Sequence, residues 1–232
     1  MELILSHSKI LTYEKCPRMY QYQYVLNLEP EYTPDYLTLG TIVHETIAFA
    51  EKEEKDPLEV YQKLISEADL REKRIKEGHA MITNWLLWKK KRSEDEKIIY
   101  IEEPFTVFTS DGIPFAGKID RVSYEKGVFK ILDYKTGNTK VPQDKVLNDP
   151  QLNAYALCLM LWYGFDIKLK AGFLYLRDMT VRGGILTAKT VREAEGRIYR
   201  VYDQILRDTS FPKNPGWQCR FCQYQKKCEE DI

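Results

Sequence analysis

Two short stretches of the chain decide its fold: GKIDRV at residues 117–122 and ILDYKTG at residues 131–137. Successive side chains of a β-strand point to opposite faces of the sheet, so Asp133 and Lys135 share one face. The residues around this pair are hydrophobic on both faces, which is typical of a strand at the centre of a sheet. An acid and a lysine are therefore expected side by side in a buried environment.

A short turn at residues 125–127 separates the two stretches and predicts a β-hairpin. In that hairpin Asp120 of the first strand lies opposite Asp133 of the second, and Lys135 is nearby. Two buried carboxylates repel each other, at a cost of several kcal/mol, unless a positive charge joins them. A divalent cation beside Lys135 would supply that charge, so the pattern indicates a metal-dependent phosphodiesterase.

A solvated arrangement of the same residues is the alternative. Asp120 could form a salt bridge with Lys118 or Arg121. Asp133 and Lys135 could face water, as most charged side chains do. The apolar neighbours of Asp133 favour the buried arrangement, because an unpartnered charge is least tolerated in a central strand.

The composition limits the class of protein. Lysine plus arginine equals aspartate plus glutamate at 35 each, so the overall charge does not indicate a nucleic-acid partner. A basic run at residues 89–92 (KKKR) is the densest candidate for a local phosphate-binding surface, although such runs are more often solvated helix ends. No apolar run approaches the ~18 residues of a membrane span and no signal peptide opens the chain, which predicts a soluble, cytoplasmic protein without membrane contact.

Hydrophobic periodicity predicts one α/β domain with appendages, because a chain of 232 residues can bury about 70% of its unfolded surface in one core. The expected helices lie at residues 9–15, 57–92, 151–163 and 191–206, and the expected strands at residues 98–108, 113–120, 131–135, 168–176 and 184–188. These elements would form a central mixed β-sheet flanked by helices.

Two further sites carry possible metal ligands. His44 lies in a predicted helix beside Ile42 and Val43, and a histidine in such surroundings is usually a core residue with a hydrogen-bond partner. Its neighbours alone therefore do not identify it as a ligand. Glu102 and Glu103 precede a proline in a predicted strand, and either could point at a metal, which makes them weak candidates only.

The cysteines form a second pattern. Cys219, Cys222 and Cys228 are closely spaced near the end of the chain, and Cys16 is available as a fourth thiol ligand. Cys158 lies in an apolar helix and is expected to be a small buried hydrophobe. An odd number of cysteines without a secretory signal argues against disulfides. Four thiolates suit zinc and an iron-sulfur cluster equally well, so the spacing leaves both open.

Together these motifs resemble a known group of nucleases. Asp120 followed by DYK at residues 133–135 resembles the motif of the PD-(D/E)XK nuclease superfamily. Gln151 and Tyr155 resemble the Gln-X-X-X-Tyr helix of its RecB-like branch. The four-cysteine pattern narrows the resemblance to the iron-sulfur RecB-like nucleases, the group that includes the CRISPR-associated nuclease. The resemblance covers most of the chain and departs in the extended helical block at residues 57–92.

The resemblance implies a restriction-endonuclease-like α/β core with a divalent-metal site. The Gly-X-X-X-His arrangement that ends at His44 makes this histidine a metal ligand. Asp120 and Asp133 would be further ligands, together with the Tyr134 carbonyl, and Lys135 would act at the reacting phosphate. An imidazole beside two carboxylates suits Mn²⁺ and still admits Mg²⁺.

The resemblance also implies a substrate and a setting. Gln151 and Tyr155, one helical turn apart, would position DNA beside the metal. The expected activity is exonucleolytic hydrolysis of single-stranded DNA ends in CRISPR spacer acquisition, with an integrase complex as a partner. A stand-alone viral or DNA-repair exonuclease and a non-catalytic nucleic-acid-binding module are the alternatives.

A 4Fe-4S cluster rather than zinc is what the resemblance implies for the thiols. The expected cluster ligands are Cys16, Cys219, Cys222 and Cys228. Residues 1–30 and 208–232 would form the cluster module that joins the two ends of the chain. Residues 31–207 would form the nuclease core, with a helical insertion at residues 57–92.

Overall fold

The computed structural model describes residues 3–231. The helices are α1 (His7–Lys15), α2 (Pro17–Tyr20), α3 (Asp35–Lys52), α4 (Pro57–Ser66), α5 (Glu72–Lys89), α6 (Pro150–Tyr163), α7 (Ala188–Arg207) and α8 (Gln225–Glu230). The strands are β1 (Lys97–Phe108), β2 (Pro114–Glu125), β3 (Val128–Lys135), β4 (Lys168–Tyr175) and β5 (Thr180–Ile185). A π-helical turn at Gln21–Val25 and 3-10 turns at Val146–Asn148 and Trp217–Phe221 complete these elements.

The strands form one mixed sheet in the order β1-β2-β3-β4-β5. Strands β2 and β3 form the predicted antiparallel hairpin, with Arg121 opposite Leu132. Strands β3 and β4 are parallel and are connected through α6, whereas β4 and β5 are antiparallel. Strand β3 is therefore paired along both edges, which agrees with its apolar pattern and confirms the α/β fold with a central mixed sheet.

The last strand begins earlier than the sequence predicted. It was expected at residues 184–188 and spans Thr180–Ile185, because its glycines interrupt the side-chain pattern without interrupting the backbone pairing. Gly183 lies opposite Gly172 of β4, and a Cβ on Gly183 would overlap the backbone of Ala171. The two strands approach too closely for side chains at this position. The helical stretch expected at residues 57–92 consists of two helices, α4 and α5, which are separated at residues 67–71. The other expected helices and strands are present with shifted ends.

Helix α6 has a well-defined start. The Asp149 side chain accepts a hydrogen bond from the Gln151 N–H at 2.9 Å and a longer one from Leu152, and Pro150 fits the first turn because no N–H partner is needed there. The helix is buried from Leu152 to Met160. Capping and burial together fix the half-buried Gln151 in the first turn of a rigid helix.

Two compact units divide the chain. The first unit comprises Met1–Thr33, Thr106–Gly117 and Glu193–Ile232, and the second comprises Pro34–Phe105 and Lys118–Arg192. The first unit thus combines segments from near both ends of the chain. The boundaries expected from the sequence, with a cluster module at 1–30 and 208–232 and a core at 31–207, stay a prediction.

Tyrosines hold the first unit together. The Tyr22 hydroxyl donates a hydrogen bond of 2.6 Å to Asp231 Oδ2. Tyr20 is buried and stacks on Phe211, with ring centroids 6.2 Å apart. Helix α2 and the π-helical turn that follows it therefore pack against the C-terminal segment of this unit.

In the second unit, helices α3 and α5 cover one face of the sheet. Val43, Trp85, Tyr134 and Leu174 belong to the same hydrophobic cluster, to which α4 contributes Tyr61. The helical block expected at residues 57–92 is thus a packing layer. None of the helices within residues 3–231 has the length and apolar character needed to cross a bilayer.

Candidate active site

Three ligand-type side chains of the second unit meet at one point. His44 Nδ1 lies 3.3 Å from Glu102 Oε1 and 3.4 Å from Asp120 Oδ2. Within residues 3–231, these three residues form the one group of His, Cys, Asp or Glu side chains whose ligand atoms all lie within 4.8 Å of one another. A nitrogen and two carboxylate oxygens that converge in this way form a candidate site for a divalent cation.

Helix α3 brings His44 to this point. At Gly40, one turn earlier, α3 approaches the end of β3 so closely that a Cβ would lie 3.3 Å from Thr136 Oγ1. His44 follows on the same helical face, because residues four apart are neighbours on a helix surface. In the Gly-X-X-X-His arrangement, the glycine therefore allows the helix to approach β3 closely, and the histidine places its imidazole in the candidate site.

Glu102 is the ligand candidate that the sequence indicated only weakly. It lies in β1, two residues before Pro104, and its φ of 47° is left-handed. Such a conformation is uncommon for a residue other than glycine and clusters at functional sites. It breaks the alternation of side chains, so strand periodicity could not assign the direction of Glu102. Glu103 does not belong to the three-residue group.

Asp120 and Asp133 lie beside the end of the paired part of the hairpin, and they are only 6% and 2% exposed. Asp120 Oδ2 accepts a hydrogen bond of 2.7 Å from the Tyr134 N–H, which fixes its carboxylate. Asp133 Oδ2 lies 2.7 Å from Lys135 Nζ. The predicted convergence of two buried acids and an amine is therefore present in the structure.

The solvated alternative is wrong for these residues. Lys118 pairs with Glu102, and the Arg121 guanidinium lies 3.0 Å from a carboxylate oxygen of Glu96, so neither cation neutralises Asp120. Asp133 lies outside the three-residue group, so the structure brings together two of the three predicted side-chain ligands and adds Glu102 to them. The predicted role of the Tyr134 carbonyl stays a prediction.

The buried charges shift the pKa values of the site. Burial, followed by the negative charge of Asp120, raises the pKa of Asp133 to about 7, against the lowering effect of Lys135. Burial lowers the pKa of His44, but the neighbouring carboxylates, Asp120 first, raise it more, to about 10. The pKa of Glu102 lies below its ordinary value despite burial, because it is hydrogen-bonded to His44. The protonated His44 thus supplies positive charge beside the carboxylates in the metal-free site, where a bound metal ion would supply it instead.

Lys135 is held in place by residues of α6. Its Nζ donates a hydrogen bond of 2.7 Å to Gln151 Oε1, and Gln151 Nε2 donates one of 2.8 Å to the Tyr155 hydroxyl. The same Nζ lies 4.6 Å from the centroid of the Phe173 ring. Gln151 and Tyr155 were predicted to position DNA, and here both belong to the network that fixes Lys135. Tyr155 is only 6% exposed.

The residues present fit a divalent metal. Carboxylate oxygens are the preferred ligands of Mg²⁺ and Mn²⁺, and the imidazole of His44 adds a donor that Mn²⁺ accepts readily. Among the described residues, Asp133 Oδ2 has the Lys135 ion pair but no aligned hydrogen bond, which leaves a buried acceptor facing the site. A buried acceptor without a hydrogen bond lowers the stability of the fold unless a further positive group, such as a metal ion, binds to it.

The cysteines lie together in the first unit. Cys16, Cys219, Cys222 and Cys228 line one cavity of about 270 Å³, and all are free thiols. Burial raises the pKa of the Cys222 thiol, and the nearby Cys16 and Cys228 raise it further. Within the described chain these thiols do not form a ligand group as compact as that of His44. Cys158 is buried in α6, as predicted.

The fold and the candidate metal site are typical of metal-dependent nucleases, and sequence comparison agrees with this class. The chain belongs to the PD-(D/E)XK nuclease superfamily, whose sequence profile matches residues 4–229. Nucleases of this superfamily use divalent metals such as Mg²⁺ and Mn²⁺. Membership confirms the predicted superfamily and the α/β core.

Solved structures with a similar fold include a protein from Eubacterium rectale that is provisionally described as an exonuclease. It superimposes with a TM-score of 0.59 at 14% sequence identity, and the alignment covers 99% of this chain and 88% of that protein. The structure of SSO0001 aligns with a TM-score of 0.40 at 14% identity, over 100% of this chain and 88% of the other. At such low identity the first similarity concerns the fold alone. Comparison with curated proteins gives no match.

Proposed function

We propose that this chain is a RecB-like deoxyribonuclease that degrades single-stranded DNA from its ends in a divalent-metal-dependent reaction. The observation that carries the proposal is the convergence of His44, Glu102 and Asp120 within 4.8 Å, beside the buried Asp133–Lys135 pair. Cleavage from an end is proposed on the resemblance to the RecB-like nucleases; the Eubacterium rectale protein, provisionally described as an exonuclease, shares the fold.

The metal ligands in this proposal are His44 and the carboxylates of Glu102, Asp120 and Asp133. A divalent ion bound there would supply positive charge to the phosphate and would lower the pKa of water in the site. The Tyr134 N–H holds the Asp120 carboxylate in one orientation before any ion arrives. His44 must give up a proton when it becomes a ligand, because only the neutral imidazole binds a metal.

Lys135 is the residue that we assign to the reacting phosphate. Asp133 and Gln151 hold its Nζ, each at 2.7 Å. A fixed ammonium can stabilise the negative charge that develops on the phosphate oxygens, and it can orient the attacking water. An ammonium donates hydrogen bonds but accepts none, so we assign Lys135 an electrostatic role rather than that of a general base.

Gln151 and Tyr155 are positioning residues in this proposal. Their hydrogen bonds join the first turn of α6 to Lys135 Nζ. Because the helix is capped and buried, this contact limits the positions that the flexible lysine side chain can adopt. In this proposal, Gln151 and Tyr155 influence the position of DNA indirectly, because they hold Lys135 beside the reacting phosphate.

We extend the proposal to a 4Fe-4S cluster held by Cys16, Cys219, Cys222 and Cys228, as the resemblance implies. These four thiols line one cavity. A tetrahedral zinc site, with Zn–S bonds of about 2.3 Å, would bring the sulfur atoms to within about 4 Å of one another. The thiols of the described residues do not form so compact a group, but a bound ion would itself draw them together, so the preference for an iron-sulfur cluster over zinc rests on the resemblance.

For the biological setting we propose CRISPR spacer acquisition with an integrase complex as partner, on the resemblance to the CRISPR-associated nuclease. A stand-alone viral or DNA-repair exonuclease would use the same site chemistry. The genes beside the coding sequence distinguish the two: an adjacent integrase gene supports the CRISPR setting, and a position among viral or repair genes supports the alternative.

Digestion of DNA labelled at the 5′ or the 3′ end tests the activity. We expect the wild type to shorten single strands with Mn²⁺ or Mg²⁺ and to stop in EDTA. Asp133→Asn and Lys135→Ala should each lower the cleavage rate by roughly 100-fold or more, while binding in Ca²⁺ persists. Lys168→Ala, which changes an exposed lysine of the same sheet, is the matched control.

Two results would contradict the proposal. A wild-type protein that binds DNA but cuts it with neither metal would be a binding module rather than an enzyme. A Lys135→Ala variant that cuts as fast as Lys168→Ala would remove the assigned role of Lys135.

A further inference from the structure

A second charged surface of the second unit lies on the other face of the sheet from Asp133. Side chains alternate along β3, so Lys130 and Leu132 point away from the face that carries Asp133. In the parallel pairing of β3 with β4, Lys130 lies beside Lys170, and Leu132 lies beside Gly172. Two lysines of neighbouring strands therefore project from the same part of this face.

These residues line a depression with a volume of about 610 Å³, which we call the basic groove. Its charged lining residues are Lys91, Arg92, Glu96, Lys130 and Lys170. Four cations thus face one carboxylate, although the whole chain has equal numbers of basic and acidic residues. The residues that line the groove therefore carry an excess of positive charge that the overall composition does not indicate.

The floor of the groove is backbone. Gly172 and Gly183 are paired across β4 and β5 and both line the groove. A Cβ on Gly172 would lie 2.6 Å from the Arg182 carbonyl oxygen, so the close approach of the strands excludes side chains here. Neither glycine adds a side chain of its own over this part of the strands, where the Gln143 side chain donates a hydrogen bond of 3.0 Å to the Gly183 carbonyl oxygen. A ligand could therefore come close to the backbone between the side chains that line the groove.

The cations of the groove differ in their partners. Arg92 lies 2.9 Å from Glu51, whose side chain is only 3% exposed, and Lys130 also has a carboxylate partner. Lys91 and Lys170 are exposed, and neither has an ion-pair partner in the part of the chain that the structure describes. These two lysines can therefore bind an anion without first breaking an ion pair with a carboxylate of the protein.

The positive surface continues along the end of α5. A neighbouring depression of about 550 Å³ shares Arg92, Ser93 and Glu96 with the basic groove, and the charged residues that it adds are Lys89, Lys90 and Glu94. The basic run at the end of α5 therefore borders two adjoining depressions and is not a solvated helix end alone. A linear polyanion could follow this border over several charges.

We propose that the basic groove binds the sugar-phosphate backbone of a nucleic-acid strand outside the catalytic centre. The proposal rests on the proposed nuclease function, because a nuclease must hold a polyanion close to its site. Lys91 and Lys170 make the phosphate contacts, and the glycine floor lets the backbone approach both. Contacts of this kind position the strand and carry no sequence information.

The test is the salt dependence of DNA binding. A fluorescein-labelled single strand of about 20 thymidines, long enough to exceed the ~4–16 nucleotides of a typical single-strand site, is titrated with protein in Ca²⁺ at several salt concentrations. The Lys91→Ala/Lys170→Ala variant loses two phosphate contacts. We expect the slope of log K against log salt to fall in magnitude by roughly 1.4, and the affinity at about 0.1 M salt to fall by roughly 25-fold.

Lys73→Ala/Lys76→Ala is the matched control, because it removes two exposed lysines from the other end of α5. The two ends are separated by about 24 Å of helix. If the two double variants show equal slopes and affinities, with unchanged melting temperatures, the basic groove does not bind the DNA backbone and the proposal is refuted. The wild-type cleavage assay separates this result from failure of the nuclease: a groove-dependent slope in a protein that never cuts DNA leaves the groove in place and refutes the enzyme.

Discussion

Glu102 provides the sharpest test of the candidate active site, because strand periodicity could not assign its direction and the tertiary structure does. In the structure its Oε1 lies 3.3 Å from His44 Nδ1. Glu102→Gln keeps the size of the side chain and one oxygen atom that can coordinate a metal, but it removes a negative charge from the ligand group. The change therefore isolates the electrostatic part of metal binding.

The magnitude follows from the position of Glu102 within the ligand group. Loss of a partner that only orients a metal ligand typically costs about 10- to 100-fold in metal affinity. Loss of a direct charged ligand should cost at least the upper end of that range, about 100-fold or about 2.7 kcal/mol. Folding stability of the metal-free protein should fall by about 1–3 kcal/mol, because Glu102→Gln removes the charge beside protonated His44 in a largely buried site, whereas the ion pair with the exposed Lys118 contributes little.

Calorimetric titration with Mn²⁺ measures the affinity, and thermal unfolding of the metal-free protein measures the stability. Glu103→Gln changes the neighbouring acid, which does not belong to the ligand group, and should bind Mn²⁺ within about twofold of wild type, since surface substitutions change free energies by less than about 0.5 kcal/mol. If Glu102→Gln binds Mn²⁺ as tightly as Glu103→Gln, Glu102 is not a ligand and the three-residue group is not the metal site.

Four further changes test other parts of the structure. Gln151→Ala removes the contact that fixes Lys135, so kcat should fall by roughly 100-fold with little change in KM, whereas Tyr155→Phe should have a smaller effect; equal rates for Gln151→Ala and wild type would exclude the positioning role. Cys219→Ser should remove the broad visible absorption of an iron-sulfur cluster and lower the melting temperature, while Cys158→Ala should keep its iron; retention of full iron content by Cys219→Ser would refute the cluster ligands. Because His44 has a pKa of about 10 in the metal-free site, it is protonated near neutral pH and must lose that proton to bind a metal, so Mn²⁺ affinity should rise by about tenfold per pH unit between pH 7 and 9 and more steeply below pH 7, where Asp133 with its pKa of about 7 also loses a proton; an affinity independent of pH between 7 and 9 would contradict His44 as a ligand. Gly78→Ala would place a Cβ against the Tyr61 hydroxyl and 2.7 Å from Leu39 Cδ1, so unfolding should show a loss of about 1–3 kcal/mol, whereas Gly196→Ala, where the Cβ would meet only Arg200 at 3.6 Å, should be neutral or stabilising.

Several features of the fold could be predicted because they depend on neighbours in the chain. The apolar pattern of β3 and the short turn before it predicted the hairpin, which placed Asp120 near Asp133. The burial of Asp133 followed from the same pattern. The predicted position of β5 was wrong because glycines have no side chains and so contribute nothing to the alternating pattern that predicts a strand. Their backbone pairing depends on how closely another strand approaches.

The basic run at residues 89–92 shows the same division. Its charge is evident from the sequence, but the buried Glu51 comes from α3 and takes Arg92 as a partner. Lys170, from β4, supplies the groove with a cation that the run does not contain. Which lysines can bind an anion is therefore a property of the packed unit and not of the run.

By itself, the sequence determined the hairpin, the Asp-X-Lys pair and the closely spaced Cys219, Cys222 and Cys228, because strand alternation and short spacing act over a few residues. Only the tertiary structure decided that Glu102 joins His44 and Asp120, since these three side chains come from β1, α3 and β2. A left-handed backbone at Glu102 turns its carboxylate toward the other two. No local periodicity encodes that rotation, because long-range packing around the site holds it in place.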